Sequence, residues 1–441
     1  MKIPQAARWL LVCLIIVGLA GRFVTGLTIY SHIAYLGLLV LVGAAIWTFL
    51  SMNGVRLWRN TRTLRASMGD VFEEHYEIKK DAWPGCAWLE VVNQSNLPKA
   101  AGSRLLTRIG AHQFRYYSAR TVLTRRGAYR LGPTMLTTGD PFGIFTQKRM
   151  IAADETLIIL PMTFSIPTFP PPPGLLPGGK AIRQRTFDVT PHAAEVREYV
   201  PGDPMKRIHW PSTAHRGQFM VKEFEQDPQA EIWLFLDAFR PVHSAHSSIT
   251  EQEISLNTDK LWLRRPKISL PSDTFEYAVS VAASLASYFL MNRRAVGLAC
   301  AAGKFTIVPG ERGERQINKI METLAFLQPE GTLPLIGLVD MQAKYLPLGS
   351  GVILITPSNQ LDLLLAVEDL QRRNLRPVVV LINSKSFGGQ EGTDKMSATL
   401  LSRNIPVSQI DLGDDLGVQL AKPAVYFQHS HIPNETFTVG R

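Results

Sequence analysis

The residues with the greatest capacity for chemistry lie in one short stretch, Glu195–Glu225. Asp203, His209 and His215 would supply acid–base groups there, and Arg207 would hold an anionic group. A hydrolase-like site built on Asp203, His209 and Arg207 is therefore one hypothesis. However, no Ser or Cys occupies a recognisable nucleophile elbow, and spacing alone does not show that these side chains meet.

Two other interpretations of this stretch need no catalysis. In the first, Arg197 and Arg207 pair with carboxylates or backbone carbonyls while Trp210 packs beneath a sheet, since ion-pair networks imitate active sites. In the second, the same side chains form a contact surface for a partner protein. Nucleic-acid binding is a weaker hypothesis, because acidic residues interleave with the basic ones and reduce the positive field. We favour the first interpretation and predict that the protein is not an enzyme.

Turn-forming residues predict how the stretch is built. Pro201-Gly202 fits a type II turn, and Asp203 is well suited to cap the N-terminus of a helix. That helix must be short, because Pro211 disfavours helical geometry at Trp210 and blocks continuation. The stretch therefore begins as an elaborated loop.

Beyond Gly217 the chain becomes extended. We predict that Phe219–Glu225 is a strand that forms a hairpin with the apolar run Glu231–Asp237. Because that second run is continuously apolar and ends in Asp237, it is typical of a buried parallel strand. The hairpin would lead into the next domain.

Residues 231–425 predict an α/β domain, because strand and helix patterns alternate along them. Such alternation is typical of a doubly wound sheet with right-handed crossovers. The predicted elements are the strand Ile232–Leu236, the helix Phe275–Met291, the strands Val296–Ala302 and Phe305–Val308, the helix Arg315–Leu327, the strand Val352–Thr356, the helix Leu361–Arg373, the strand Val378–Ile382, the helix Met396–Arg403 and the strand Val407–Ile410.

Ligands of such sheets bind beyond the carboxyl ends of the strands, where Asp237 and Thr356 stand. Here the sequence resembles a von Willebrand factor type A-like domain, whose metal site uses an Asp-x-Ser-x-Ser loop and a later acidic residue. Phe239 and Pro241 replace the two serines, and Pro357 stands where the acid is expected. Too few oxygen ligands remain for a hard divalent cation. We therefore predict a degenerate site, a structural role for Asp237, and neither a metal nor another cofactor.

Two apolar segments stand at the beginning of the chain. Ile33–Met52 has about the 20 residues that a bilayer core requires. Trp9–Gly21 is shorter, but it extends to Tyr30 if Arg22 reaches the interface. A cleaved signal peptide is the alternative for this first segment and stays open. We predict that residues 1–60 form two transmembrane helices in contact with the lipid bilayer.

Basic residues flank the two apolar segments. Lys2 and Arg8 precede them and several arginines follow, whereas Arg22 and His32 mark the connection. By the positive-inside rule, both termini and the large domains are cytoplasmic, and the protein is a two-span component of the cell (inner) membrane. The net charge of +10 agrees with an anionic surface nearby, and the three cysteines form no disulfide or zinc pattern, which fits a reducing compartment.

Residues 64–166 predict a β-sandwich, because short runs of strand-forming residues alternate with turns. Asp140-Pro141-Phe142-Gly143 predicts a turn with an aromatic plug. Residues 167–194 form a Pro/Gly-rich linker, 195–230 hold the motif and hairpin, and 426–441 are a C-terminal tail. The predicted strands are Glu74–Lys79, Ala87–Val92, Leu105–Arg108, Phe114–Thr121, Gly127–Leu131, Leu136–Thr138 and Thr156–Leu160.

Several ordered motifs resemble those of the domain of unknown function 58 family, and the resemblance covers nearly the whole chain. The family usually has Arg directly after the small residue at Ala214, whereas this chain has His215 and then Arg216. The matching motifs are Arg197-x-Tyr199-x-Pro201-Gly202-Asp203, Arg207-Ile208-His209-Trp210, Val221-Lys222-x-Phe224-Glu225, Arg126-Gly127-x-Tyr129-x-Leu131-Gly132-Pro133 and Asp140-Pro141-Phe142-Gly143.

The resemblance implies a role but no established chemistry. Members of the family are commonly encoded beside MoxR-type AAA+ ATPases, with which they are thought to assemble or activate other proteins. We therefore expect a membrane-anchored, non-catalytic interaction or assembly factor with such an ATPase as partner. The residues expected to form its structural or partner-binding motif are Arg197, Tyr199, Gly202, Asp203, Arg207, His209, Trp210 and Arg216.

Overall fold

The computed structural model describes residues 5–169, 193–200, 205, 208–224, 231–245 and 269–422. The predicted C-terminal tail and most of the predicted linker lie outside these ranges. The chain divides into two compact units. Unit 1 comprises residues 1–163, 246–283 and 321–327, and unit 2 comprises residues 164–245, 284–320 and 328–441.

Unit 1 begins with a helical hairpin of α1 (Gln5–Thr25) and α2 (Thr28–Met52). Both helices are long and apolar enough to cross a membrane. We had placed His32 in the connection, but α2 already begins at Thr28. The break is at Gly26, whose φ of 69° is in the left-handed region that ends a helix without strain.

Small residues allow the two helices to pack closely. A Cβ atom on Gly18 would lie 2.9 Å from the carbonyl oxygen of Tyr30 and 3.0 Å from the Cβ of Ala34. Thr48 satisfies its hydroxyl within α2 by donating to the carbonyl of Ala44. The hairpin is therefore held by contacts that only small side chains permit.

Three sheets follow in unit 1. One has the order β1-β3-β6, one β5-β4-β8-β9 and one β2-β10-β7. The strands are β1 (Val55–Thr61), β2 (Arg65–Ser67), β3 (Val71–Lys80), β4 (Cys86–Asn93), β5 (Arg104–Ile109), β6 (Gln113–Val122), β7 (Gly127–Arg130), β8 (Thr134–Gly139), β9 (Thr146–Ile151) and β10 (Thr156–Leu160).

All seven strands predicted for this region are present, but β1, β2 and β9 were missed. Residues 55–60, which we included in the transmembrane segment, form most of β1, and β1 pairs with β3. The first two sheets share one core that contains Val55, Ile78, Leu89 and Leu136. The β module therefore begins at Val55, immediately after α2.

The Asp140 turn differs in one respect from its prediction. The buried carboxylate accepts hydrogen bonds from the backbone N–H groups of Phe142, Ile144 and Phe145, at 2.9, 3.2 and 2.6 Å. The turn is thus held by Asp140 itself. Phe142 is 72% exposed, so the prediction of an aromatic plug was wrong.

Unit 2 contains a six-stranded sheet of order β15-β14-β13-β16-β17-β18, in which only the β14–β15 pair is antiparallel. Every residue of β13 and β16 is buried, as expected for central strands covered on both faces. The strands are β13 (Ile232–Leu236), β14 (Val296–Ala302), β15 (Lys304–Glu311), β16 (Gly351–Thr356), β17 (Arg376–Ile382) and β18 (Val407–Ile410).

Helices alternate with these strands, as predicted. Trp233 and Phe235 of β13 share a core with Leu338 and Leu363 on two of the helices. The helices are α4 (Thr274–Met291), α5 (Glu314–Phe326), α6 (Leu335–Ala343), α7 (Leu361–Arg372), α8 (Thr393–Ser402) and α9 (Leu416–Ala421), of which α6 and α9 were not predicted. The first part of α4 and the end of α5 belong to unit 1.

Candidate functional site

The family motif forms a two-stranded ribbon with a short helix. Strand β11 (Ala193–Glu198) pairs antiparallel with β12 (Met220–Phe224), and α3 (Trp210–Arg216) precedes β12. We predicted a hairpin between β12 and the strand that is now β13. That prediction was wrong, because β13 pairs with β14 and β16 instead.

Hydrogen bonds fix α3 against β12. The His209 N–H donates to the carbonyl of Met220 at 2.7 Å, and the Met220 N–H donates to Oγ1 of Thr213 at 3.0 Å. Ile208 and Val221 are buried beneath this contact. The position of α3 is therefore set by the ribbon.

Pro211 lies in the first turn of α3, whereas we had expected it to disfavour helix at Trp210 and to end a helix that started earlier. The expectation was wrong because a proline in the first turn lacks an N–H group that would have no partner there anyway. At the other end, Gly217 adopts a φ of 69° and caps the helix. The helix predicted to start at Asp203 lies outside the described residues.

The predicted motif residues are in different environments. Tyr199 packs its ring edge-on against Phe219, with ring centroids 6.1 Å apart, and its N–H donates to the Phe219 carbonyl. Trp210 is 64% exposed, so the expectation that it packs beneath a sheet was wrong. Arg216 is exposed in the last turn of α3. Arg197 lies in β11, and Gly202, Asp203 and Arg207 lie outside the described residues.

His209 has a close neighbour that the sequence analysis missed. Its Nδ1 lies 2.6 Å from the hydroxyl of Ser212. His209 is the N-cap of α3, so Ser212 follows in its first turn. The spacing of three residues was visible in the sequence, but we searched for a serine in a nucleophile elbow. The pair can share a proton, and Asp203, a carboxylate that could orient such a histidine, lies outside the described residues.

A second candidate site lies at the carboxyl edge of the unit 2 sheet. The Thr356 hydroxyl, at the end of β16, donates a 2.6 Å hydrogen bond to Oδ2 of Asp237, which follows β13. Oδ1 of Asp237 accepts a 3.0 Å hydrogen bond from the Phe239 N–H. Burial raises the pKa of Asp237 to about 6, against which these hydrogen bonds act. Both carboxylate oxygens are therefore engaged by the protein.

His243 lies on the same loop. Its Nε2 is 3.0 Å from the backbone carbonyl oxygen of Asp237, and burial lowers its pKa to about 4. The neutral ring can donate from Nε2 to that carbonyl, which fixes the loop after β13. Among the described residues, no group of three or more His, Cys, Asp or Glu side chains is arranged to hold a metal ion.

A small cleft opens beside this loop. Its volume is about 210 Å³, below the roughly 300 Å³ at which pockets for drug-sized ligands begin. No acidic or basic side chain other than His243 lines it, so it suits a neutral polar group. Its lining residues are Pro241, Val242, His243, Ser244, Pro357, Ser358, Asn359, Gln360, Ser384, Gly389 and Gln390.

Comparisons with known proteins indicate a family rather than an activity. The sequence model of the family described as "Protein of unknown function DUF58" matches residues 195–255, which include α3, β12 and Asp237. A protein of Bacillus subtilis (strain 168) described as "Uncharacterized protein YeaD" is 26% identical over 214 residues. That match covers 48% of this chain and 45% of the relative, so it spans less than half of the relative's length. These two matches support the DUF58 family of proteins of unknown function as the family that this chain resembles.

Proposed function

We propose that this protein is a membrane-anchored, non-catalytic interaction or assembly factor that engages a partner through its motif. The observation that carries the proposal is the exposure of Trp210, 64%, on a helix held by backbone hydrogen bonds. Tryptophan is among the residues that dominate the energetics of protein interfaces, and one displayed on a fixed helix can serve as an anchor for a partner.

The partner that we propose is a MoxR-type AAA+ ATPase. The support is the family, whose members are commonly encoded beside such ATPases. The exposed side chains of α3 include Trp210, His215 and Arg216. This combination of an aromatic anchor with a cationic arginine nearby suits a partner surface that has an apolar pocket with an acidic rim.

The folds that we propose for the two units give Asp237 a structural role. The strand order in unit 2, with one antiparallel edge strand, supports a von Willebrand factor type A-like fold, and the core shared by two sheets in unit 1 supports a β-sandwich. In the metal-binding form of such a fold, the Asp237 position would ligate a cation. Here its two oxygens accept hydrogen bonds from Thr356 and Phe239, so we propose a structural role.

The location that we propose is the cell (inner) membrane, with both termini and the large domains on the cytoplasmic side. Arg8 lies near the start of α1, and it donates to the carbonyl of Ile144 in the β module. Arg56, just after α2, is also exposed. Both ends of the hairpin thus carry arginine on the side of the β module, as the positive-inside rule requires.

Recovery of the ATPase from membranes tests the interaction. Full-length protein with Trp210→Ala is expected to recover several-fold less ATPase than the unchanged protein. Tyr345→Ala is the matched control, because Tyr345 is an aromatic residue of unit 2 that is 72% exposed and lies outside the motif. Equal recovery by both variants, with unchanged melting temperatures, would remove Trp210 from the proposal.

A hydrolase-like enzyme is the second candidate, and the contact between His209 and Ser212 is the observation that favours it. In that case His209→Ala and Ser212→Ala would each abolish turnover of a substrate without lowering the melting temperature. Thr213→Ala provides a contrast, because Thr213 holds the backbone of β12 and its loss acts on stability. Turnover that survives both site variants would exclude this candidate.

A further inference from the structure

Two exposed aromatic side chains of unit 1 lie beside the ends of the helical hairpin. Trp83, in the loop between β3 and β4, is 73% exposed, and its ring centroid lies 6.5 Å from that of Trp47 on α2. Phe142, in the Asp140 turn, is 72% exposed. It is two residues before Ile144, whose carbonyl accepts a hydrogen bond from Arg8. One aromatic therefore accompanies each end of the hairpin.

The contact between the two tryptophans fixes the depth of Trp83 relative to α2. Trp47 is five residues before the last residue of α2, Met52, which corresponds to about 7.5 Å along the helix axis. Trp47 lies inside the segment Thr28–Met52 that is apolar enough to cross a membrane. A ring that touches Trp47 thus overlaps the apolar part of the helix instead of lying beyond it.

The β module cannot pull away from this position. The buried Lys80, at the end of β3, donates hydrogen bonds to the carbonyls of Leu50 and Ser51 at 3.3 and 2.8 Å. Arg8 of α1 donates to the carbonyl of Ile144, next to the turn that carries Phe142. The loops that carry Trp83 and Phe142 are consequently held at the level where α2 ends.

The charges around these loops are mainly positive. The side chain of Arg56 is 66% exposed, and Lys148 and Arg149 are exposed on β9. The acid among them, Asp81, is 2.8 Å from Lys79 and 3.5 Å from Arg56. Asp140 is buried and engaged by its own turn. An anionic surface would complement this region.

We propose that Trp83 and Phe142 insert into the boundary between head groups and acyl chains of an anionic bilayer, in the leaflet where the hairpin ends. The β module then lies directly on the membrane, and Arg56 and Lys148 contact lipid phosphates. Tryptophan and other amphipathic aromatics concentrate at this depth, and exposed apolar rings lose water contact there. The inference rests on the membrane anchoring included in the proposed function.

Fluorescence quenching in nanodiscs tests the inference with the full chain. Cys13 is the exposed cysteine of the described residues and is replaced by serine, whereas Cys86 and Cys300 are buried. Trp83→Cys and Phe142→Cys are then labelled with an environment-sensitive dye. Leu105→Cys is the matched control, because Leu105 is 59% exposed on β5. It lies four residues along that strand from Ile109, which pairs with Cys86 of β4. The Cys86 thiol in turn contacts the Ser51 carbonyl near the end of α2.

In phosphatidylglycerol-containing nanodiscs, labels at 83 and 142 are expected to be quenched several-fold less by acrylamide than the label at 105. Lipids with a shallow nitroxide are expected to quench them, and not the label at 105. Replacing phosphatidylglycerol by phosphatidylcholine is expected to increase acrylamide access, because the basic side chains lose their anionic partners.

Two results would overturn the inference, and they are distinguishable. If the full chain stays in membranes washed with alkali while the labels at 83 and 142 behave as the label at 105, the anchor stands and this inference falls. If alkali extracts the full chain, the anchor falls and this inference falls with it.

Discussion

The ammonium group of Lys80 on β3 donates a 2.8 Å hydrogen bond to the carbonyl oxygen of Ser51 in the last turn of α2. It also donates to the carbonyls of Leu50 and Asn53. Burial lowers the pKa of Lys80, with the Cys86 thiol acting in the opposite direction. A cation at a helix C-terminus stabilises the carbonyls that the helix leaves without partners. A strand side chain therefore caps the second helix.

Replacing Lys80 by methionine is expected to destabilise unit 1 by several kcal/mol. Each buried carbonyl left without a donor costs about 1–3 kcal/mol. The melting temperature of the full chain in nanodiscs measures the loss, and faster thiol labelling of Cys86 reports local opening because its Sγ lies 3.2 Å from the Ser51 carbonyl. Lys79→Met is the control, since Lys79 is paired with Asp81 at the surface. Equal losses in both variants would contradict the cap.

Arg126 is expected to be the most sensitive arginine of the β module. It is 5% exposed, donates to the carbonyls of Leu324 and Leu327 at 3.1 and 2.6 Å, and is paired with Glu276. Removing one partner of a buried ion pair costs about 3–5 kcal/mol.

Arg126→Ala should therefore lower the denaturant midpoint of the full chain strongly. Arg130→Ala provides the comparison, because the Arg130–Asp154 pair has side chains that are 62% and 89% exposed. Exposed pairs contribute at most about 1 kcal/mol. A midpoint for Arg126→Ala that matches that of Arg130→Ala would refute the role of Arg126.

Stability at the carboxyl edge should depend on pH through two opposing groups. The raised pKa of Asp237 gives a stabilising contribution that is complete below pH 3.8 and is lost as the pH rises through about 6. The lowered pKa of His243 gives a contribution that is complete above 6.5 and lost as the pH falls through about 4. Each corresponds to about 3 kcal/mol at roughly 1.4 kcal/mol per pKa unit.

Single variants separate the two groups. Acidification should destabilise Asp237→Asn more than the unchanged protein, because the Asp237 contribution no longer offsets that of His243. Acidification should destabilise His243→Gln less, for the opposite reason. Melting temperatures of the full chain, measured between pH 4 and pH 6.5, test this prediction. Parallel pH profiles for all three proteins would contradict both assignments.

Helix packing in the hairpin yields a prediction with an internal control. Gly18→Leu places a side chain 2.9 Å from the backbone of Tyr30, and overpacking costs about 1–3 kcal/mol. Gly43→Leu is harmless by the same criterion, because no atom lies within 4 Å of its Cβ position. The melting temperature in nanodiscs should fall for Gly18→Leu alone.

The α/β elements were predictable because their signals are local. Ile232–Leu236 is apolar throughout, and a strand that is buried on both faces needs no alternation. By contrast, β1 escaped prediction because Arg56 and Arg59 in it looked like the basic flank of a membrane span. Pairing with β3 decides its structure, and a single sequence does not show that pairing.

In the candidate sites, too, local features were predictable and tertiary contacts were not. Asp237 and Thr356 could be assigned to neighbouring strand ends from the alternation pattern, but the 2.6 Å contact between them depends on tertiary packing. The exposure of Trp210 was not predicted. We interpreted Pro211 as a helix breaker and therefore did not expect Trp210 to begin a helix. Whether a proline ends or begins a helix depends on which residues precede it, and here α3 starts at Trp210.

Only Asn53 and Gly54 separate α2 from β1, and Lys80 fastens the end of the helix to β3. This connection is short and fixed, so the tilt of the hairpin in a bilayer would also set the angle between the β module and the bilayer normal. Transmembrane helices adjust their tilt when the bilayer becomes thicker or thinner. If the hairpin spans a bilayer as we propose, a change in membrane thickness would therefore also rotate the strands of the module.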